Sequence, residues 1–359
     1  KQISDNRSST TNVLEPTVVT GTILPEIEVT KLDDVERSSV GLLPPTVTGF
    51  PNSLWKESQA DDLVRLLRTV GSPSSPAVQK LLLQMLLAEA EAPISTEKKE
   101  AFLSERISIL IDSGAIDPAI ALLERASPLP PQLVPKLFEA SLLSSQYDPA
   151  CEQVLDLGAN YQNDAGRIYC HALTGDWLTA SLIYNTAKAL NSIENSTLDI
   201  LGEFLEIEEP SGRNIPKNKK DLKPLDFRLY ETLGYPLFRE NLGNAFLFGD
   251  LSGDNGWYAQ IKAAERLAED GVIDSNRFLG IFTAYEAPSI DGIWRKVNAV
   301  QSLDKALSKQ TGTKEIETAL VNAWQVFQYD SNSSIFAEIF TPKLLNTKLS
   351  PKSEVLALK

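Results

Sequence analysis

Gly114-Ala115-Ile116-Asp117-Pro118-Ala119 is followed, thirty-one residues on, by Ser145-Gln146-Tyr147-Asp148-Pro149-Ala150, and thirty further by Gly175-Asp176-Trp177-Leu178-Thr179-Ala180. The first two share Asp-Pro-Ala in register. Aspartate is a favoured helix N-cap, because its carboxylate accepts a free backbone N–H of the first turn. Proline suits the first helical position, where its missing N–H costs nothing. Alanine next lets two helices approach closely. Four residues on from each alanine stand Leu123, Val154 and Tyr184, and seven on stand Ala126, Leu157 and Ala187. These spacings put all of them on one helix face. An apolar segment precedes each turn: Phe102–Leu110, Leu133–Leu143 and Ile168–Leu173. Each unit therefore reads as helix, tight turn, helix, at a period of 30–31 residues.

This pattern resembles the tetratricopeptide-like helical hairpin, in which a small residue ends the first helix and a second small residue follows five positions later. A bulky residue comes four after that, and a small one seven after. Gly114, Ala119, Leu123, Ala126 and the closing Pro131 match. Gly175, Ala180, Tyr184 and Ala187 match without the proline, and Ser145, Ala150 and Val154 match in part. The period is shorter than the family's 34, and the large aromatic of the first helix has no clear counterpart. The resemblance covers roughly residues 100–190 and implies an all-α α-solenoid of stacked hairpins.

Working outward, residues 1–54 are rich in Ser, Thr, Val and Pro, and Pro16, Pro25, Pro44, Pro45 and Pro51 forbid a long helix. They read as an extended arm or tether, with Leu42, Leu43, Phe50 and Trp55 as its anchors. Those anchors pack on the chain's own helical body or dock on a partner. Residues 55–207 read as the helical-repeat domain, opening with Ser58–Val70, Ala77–Glu91 and a helix from Thr96 to Ser113. Residues 208–222 read as a linker, with Pro210, Gly212, Pro216 and a basic run of Arg213, Lys217, Lys219 and Lys220. Residues 223–359 return to helix: Leu225–Leu233, Trp257–Asp270, Asn276–Tyr285, Gly292–Leu307 and Lys314–Phe327. Ser334–Phe340 reads as a short helix, and the tail after Pro342 as extended. Gly271-Val272-Ile273-Asp274 echoes Gly114-Ala115-Ile116-Asp117, so the array is expected to resume here with irregular repeats.

Composition narrows the function. The 359 residues carry 34 Lys+Arg against 48 Asp+Glu, a net charge of −14, which disfavours nucleic acid and anionic membrane surfaces as partners. No apolar run is long enough to span a bilayer. One His and two Cys leave little material for zinc sites or His-based triads. The chain begins at Lys1, and its one Met is Met85. A removed signal peptide accounts for this, as does an excised piece of a longer chain.

Cys151 falls in the second helix of one hairpin and Cys170 in the first helix of the next. Such helices are neighbours in a stack, so a disulfide of about 3 kcal/mol is feasible and would imply an oxidising compartment. The alternative is two buried thiols. His171 adjoins Cys170, but adjacent helical positions do not face each other, so a Cys–His dyad is not expected. Glu203, Glu206, Glu208 and Glu209 read as a solvated acidic face, and Gly249–Gly256 as a turn before the Trp257 helix. No phosphate loop, nucleophile elbow or dinucleotide fingerprint occurs.

The expectation is a non-enzymatic protein–protein interaction scaffold without cofactor or metal. It is placed in the periplasm or otherwise exported, as a structural subunit of a bacterial cell-envelope assembly. The layout is loosely similar to exported bacterial proteins with an N-terminal tether and degenerate helical repeats. A cytosolic adaptor or co-chaperone is the alternative, and a superhelical lytic transglycosylase-like enzyme the remote one.

Overall fold

The structure, a computed structural model, describes residues 37–71, 75–94, 100–144, 148–208, 222–237, 239–252, 254–309 and 312–358. Residues 1–36, the basic run at 213–220, Thr96 and Ser145 lie outside that set. Regular structure among the described residues is all helical. The first helices are α1 Pro45–Thr48, α2 Ala60–Val70, α3 Pro76–Leu87, α4 Ala101–Ser113, α5 Ile116–Arg125 and α6 Val134–Ser144. Next come α7 Asp148–Leu157, α8 Asp164–Leu173, α9 Trp177–Leu190, α10 Asn195–Phe204, α11 Pro224–Thr232 and α12 Asn244–Leu247. The last are α13 Trp257–Glu269, α14 Ser275–Phe282, α15 Ile293–Ser308, α16 Thr313–Phe327, α17 Ser333–Leu345 and α18 Pro351–Ala357. No described helix is long and apolar enough to cross a membrane.

The repeat positions point inward. Ala119, Leu123, Ala126, Ala150, Val154, Ala180, Tyr184 and Ala187 are all buried. From α4 to α10 each helix packs on the next, and α4 touches α6 while α8 touches α10. The turns are built as expected in one respect: Gly114 and Gly175 adopt φ of 89° and 83°, the left-handed region that a Cβ disfavours. In another they differ. Asp117 is not an N-cap, because α5 starts one residue earlier, at Ile116, with Ala115 in the cap position. Its carboxylate instead pairs with Arg277 at 2.9 Å. The Asp148 side chain lies outside the described residues. Asp176, by contrast, accepts the Thr179 N–H at 3.1 Å and caps α9.

The segment 37–54 belongs to the body. Leu42 and Leu43 donate their N–H groups to the Leu87 carbonyl at 2.8 and 3.0 Å, and Glu89 donates back to Leu43 at 2.9 Å. Gly41 is required there, since a Cβ would sit 2.2 Å from the Glu89 nitrogen. This pairing draws residues 88–91 out of the helix expected through Glu91, so α3 stops at Leu87. Arg106 of α4 locks the junction. Its fully buried guanidinium donates to the carbonyls of Leu86 (2.8 Å), Val40 (2.8 Å), Ser38 (3.3 Å) and Ala88 (3.3 Å). It also lies over the Phe102 ring at 5.6 Å. Burial pushes its pKa down to about 10, which still leaves it charged at neutral pH.

The later helices fold back onto the earlier ones, and residues 36–359 form one compact unit. α11 packs on α6, and α12 on α4. Arg228 donates to the Leu142 carbonyl at 2.6 Å, and a Cβ on Gly114 would meet Asn244 at 2.9 Å. The helical stretches on either side of the linker thus share a core.

Two expectations about the C-terminus are corrected. α17 runs through Pro342 to Leu345, because Phe336, Ile339, Phe340 and Leu344 are buried on both sides of the proline. Burial of that row outweighs the roughly 3 kcal/mol that an internal proline costs. The tail is not extended either: Pro351 sits at the first turn of α18, which packs on α16 and α17.

Candidate functional site

A cleft of about 850 Å³ opens along one side of α13. That helix has two faces. Ile261, Ala264, Leu267 and Ala268 are buried in the core. Tyr258, Lys262, Glu265, Arg266 and Glu269 recur at helical spacing and line the cleft. The opposite wall comes from Arg239, Asp250, Lys296 and Asn332, on three different connections and α15.

Arg239, Asp250, Lys262, Glu265 and Lys296 of this cleft are held in ion pairs. Glu265, 8% exposed, receives Lys262 at 3.1 Å and Lys296 at 2.8 Å. Lys296 also meets Asp330 at 2.5 Å. Burial works against the Lys296 ammonium, but the hydrogen bonds to Asp330 and Glu265 outweigh it and hold its pKa above the usual lysine value. Asp330 responds in kind: burial raises its pKa, yet Lys296 and the Asn332 N–H bring it below the usual aspartate value. Arg239 bridges Glu231 and Asp250, the latter at 2.8 Å, and its guanidinium lies 5.5 Å above the Phe227 ring. Asp250 also accepts from Asn255 at 2.7 Å, while burial pushes its carboxyl up despite Arg239. Asn332 is 2% exposed, and its Oδ1 has no hydrogen-bond partner.

Tyr258 stands at the rim, 55% exposed. Its ring is 6.3 Å from Trp294, which is 5.0 Å from Trp257, which is 5.4 Å from Tyr285. The Trp257 indole is fixed by its N–H to the Ile281 carbonyl at 2.8 Å.

A second surface lies on α9. Ala180, Tyr184 and Ala187 face the core, while Leu178 and Leu182 are 84% and 65% exposed on the opposite side. Trp177 and Leu190 extend this apolar row at its two ends, both exposed.

The residues singled out from the sequence fall in several places. Cys151 and Cys170 are joined, with Cα atoms 5.2 Å apart, and tie α7 to α8. Both are buried. His171 pairs with Asp176 at 3.3 Å and makes no dyad with a cysteine, since both sulfurs are in the disulfide. Trp55 is 5% exposed and packs edge-on against Phe102 at 5.3 Å, so it anchors the segment to its own body and offers no partner surface. Leu42 is half-buried against the same core, while Leu43 and Phe50 are half-buried along the segment. Of the acidic row, Glu203 is buried and accepts the Tyr235 hydroxyl at 2.6 Å, so it is not a solvated face. Glu208 accepts the Tyr184 hydroxyl at 3.0 Å and an ion pair from Lys188. Glu209 lies outside the described residues. Among the described residues no group of three or more ligating side chains is placed to hold a metal.

The cleft was missed at the level of sequence. Its one local signal is the Tyr258, Lys262, Glu265, Glu269 row on α13, which by itself reads as a solvated helix face.

No protein-family model, no curated protein and no solved structure matches the chain.

Proposed function

We propose that this protein is a non-enzymatic interaction scaffold, an α-solenoid-like stack of tetratricopeptide-like hairpins acting as a structural subunit of a bacterial envelope assembly in an oxidising, extracytoplasmic compartment. The observation that carries the reading is the exposed row Leu178, Leu182 and Leu190 on α9, flanked by Trp177. Leu178 and Leu182, one turn apart and both well exposed, form an apolar pair of the kind that marks interaction sites. Its spacing along one helix suits the apolar face of a helix from another protein. Three features support the wider picture. Consecutive helices from α4 to α10 pack on one another. The pair Cys151–Cys170 ties the hairpin that contains α9 to the one before it and fits a compartment where disulfides persist. The net charge of −14 keeps the free surface soluble and favours partners with basic patches.

The test places a photo-crosslinking residue at Leu182 in cells of the native source, with Asp62 as a control position. A discrete adduct from Leu182 alone is expected, lost in the Leu178→Ser variant while helical circular dichroism is unchanged. Equal labelling from both positions, or an adduct that survives Leu178→Ser, removes the assignment.

A further inference from the structure

We propose that the cleft along α13 binds a neutral oligosaccharide, with Tyr258 stacking on a sugar face and the paired charges of the walls bonding its hydroxyls.

The volume, about 850 Å³, falls within the range of small-ligand sites. The chemistry of the walls selects among ligands. Arg239, Lys262 and Lys296 are each held by carboxylates of the protein itself. An ionic ligand of either sign would lie against like charges on the same walls, Asp250, Glu265 and Glu269 for an anion and Arg239, Lys262 and Lys296 for a cation. A ligand of hydroxyl groups meets no such repulsion. Hydroxyls donate to free carboxylate lone pairs and accept from ammonium and guanidinium hydrogens, and so add to the grid without dismantling it.

The rim supplies the other half of sugar chemistry. A pyranose ring has an apolar face of C–H groups that lies against an aromatic plane. Tyr258 is exposed at the mouth, and Trp294, Trp257 and Tyr285 continue from it as one aromatic group, with Tyr285 at 65% exposure. Aromatic rings with polar tips are suited to such half-wet contacts. The cluster is held in place, since Trp257 is tied to the Ile281 carbonyl. This inference stands on the cleft alone and is independent of the α9 surface.

The experiment is calorimetric titration of the full chain with maltotriose and with the N-acetylated chito-oligosaccharide trimer. Trigalacturonic acid and a hexaproline peptide serve as comparison probes, and each titration is run at low and high salt. A saturable signal is expected with a neutral trimer, independent of ionic strength, and weakened about tenfold or more in Tyr258→Ala, the loss of one stacking face. Asp62→Asn, on α2 and outside both surfaces, should bind as the unaltered protein does. Binding confined to the uronic acid and falling with salt would overturn the proposal in favour of an anion site. Binding confined to the proline peptide would assign the aromatic group to peptide recognition. Absence of a signal from both neutral trimers, or an affinity untouched by Tyr258→Ala, also overturns it.

Discussion

The two halves of this chain solve the problem of buried charge in opposite ways. In the first half, Arg106 is fully buried and satisfied by four backbone carbonyls and an aromatic face. In the second, Lys296 and Arg239 are satisfied by carboxylates that themselves line an open cleft. The first arrangement fixes backbone segments and is indifferent to pH over a wide range. The second depends on protonation and leaves hydrogen-bonding capacity facing a cavity. Carbonyl-held cations build structure, whereas carboxylate-held cations beside a cleft are also equipped to meet a ligand.

The largest expected effect breaks the first arrangement. Arg106→Leu leaves the carbonyls of Leu86, Val40, Ser38 and Ala88 without their donor, at a cost of about 3–5 kcal/mol. Urea denaturation followed by circular dichroism measures it. A loss below about 1 kcal/mol would show that water replaces the guanidinium and that the junction is not locked.

Next in size is the covalent tie. Its 19-residue separation gives about 3 kcal/mol by chain entropy, so the Cys151→Ala/Cys170→Ala double variant should lose that much. The unaltered protein in strong reductant should lose a similar amount. Alkylation of denatured, unreduced protein from its native source should leave the intact mass unlabelled. Two labels would remove the disulfide and with it the argument for an oxidising compartment.

The second arrangement is probed by pH. Lys296 has a raised pKa, so its contribution is fully present below the usual lysine value and is lost as pH rises through the higher folded value. Asp330 has a lowered pKa, so its contribution is present above the usual aspartate value and is lost as pH falls through the lower folded value. Lys296→Met should cost about 2 kcal/mol at neutral pH, since Asp330 loses the cation that meets it and Glu265 loses one of its two. The deficit should shrink as pH falls through the lowered folded value of Asp330, where its carboxyl takes up a proton. Thermal melting across pH checks this, and a deficit constant from acid to neutral would mean that lost packing dominates.

What was legible in the sequence follows the range of the interactions. Ala119, Leu123, Ala180 and Tyr184 declare their inward face through local spacing, and Gly114 and Gly175 declare their turns. Ser350-Pro351, at the head of α18, carries a local helix-start signal that the extended reading of the tail passes over. The cleft has no such signature. Lys296 meets Glu265 and Asp330 across 31 and 34 residues, and Arg106 reaches Ser38 across 68. Packing of α14 on both α13 and α15, and of α4 on Arg37–Ser39, decides where these groups meet, and nothing in a local window encodes it. Pro342 is the converse case: the local signal was clear, and tertiary burial overrode it.

The smallest expected effect sharpens the comparison at its most similar point. Gly114-Ala115-Ile116-Asp117 and Gly271-Val272-Ile273-Asp274 are near copies, one in each half. Asp274 caps α14, accepting from the N–H groups of Asn276 and Arg277 at 2.8 and 2.9 Å. Asp117 does not cap α5, and pairs with the exposed Arg277 side chain. Asp274→Ala should therefore cost about 1 kcal/mol, the usual value of an N-cap. Asp117→Ala should cost about 0.5 kcal/mol or less, because a solvent-screened ion pair contributes little. High salt should erase the smaller effect and leave the larger one. Equal, salt-insensitive losses at both positions would mean that Asp117 caps its helix in solution, and that the two turns are alike in structure as well as in sequence.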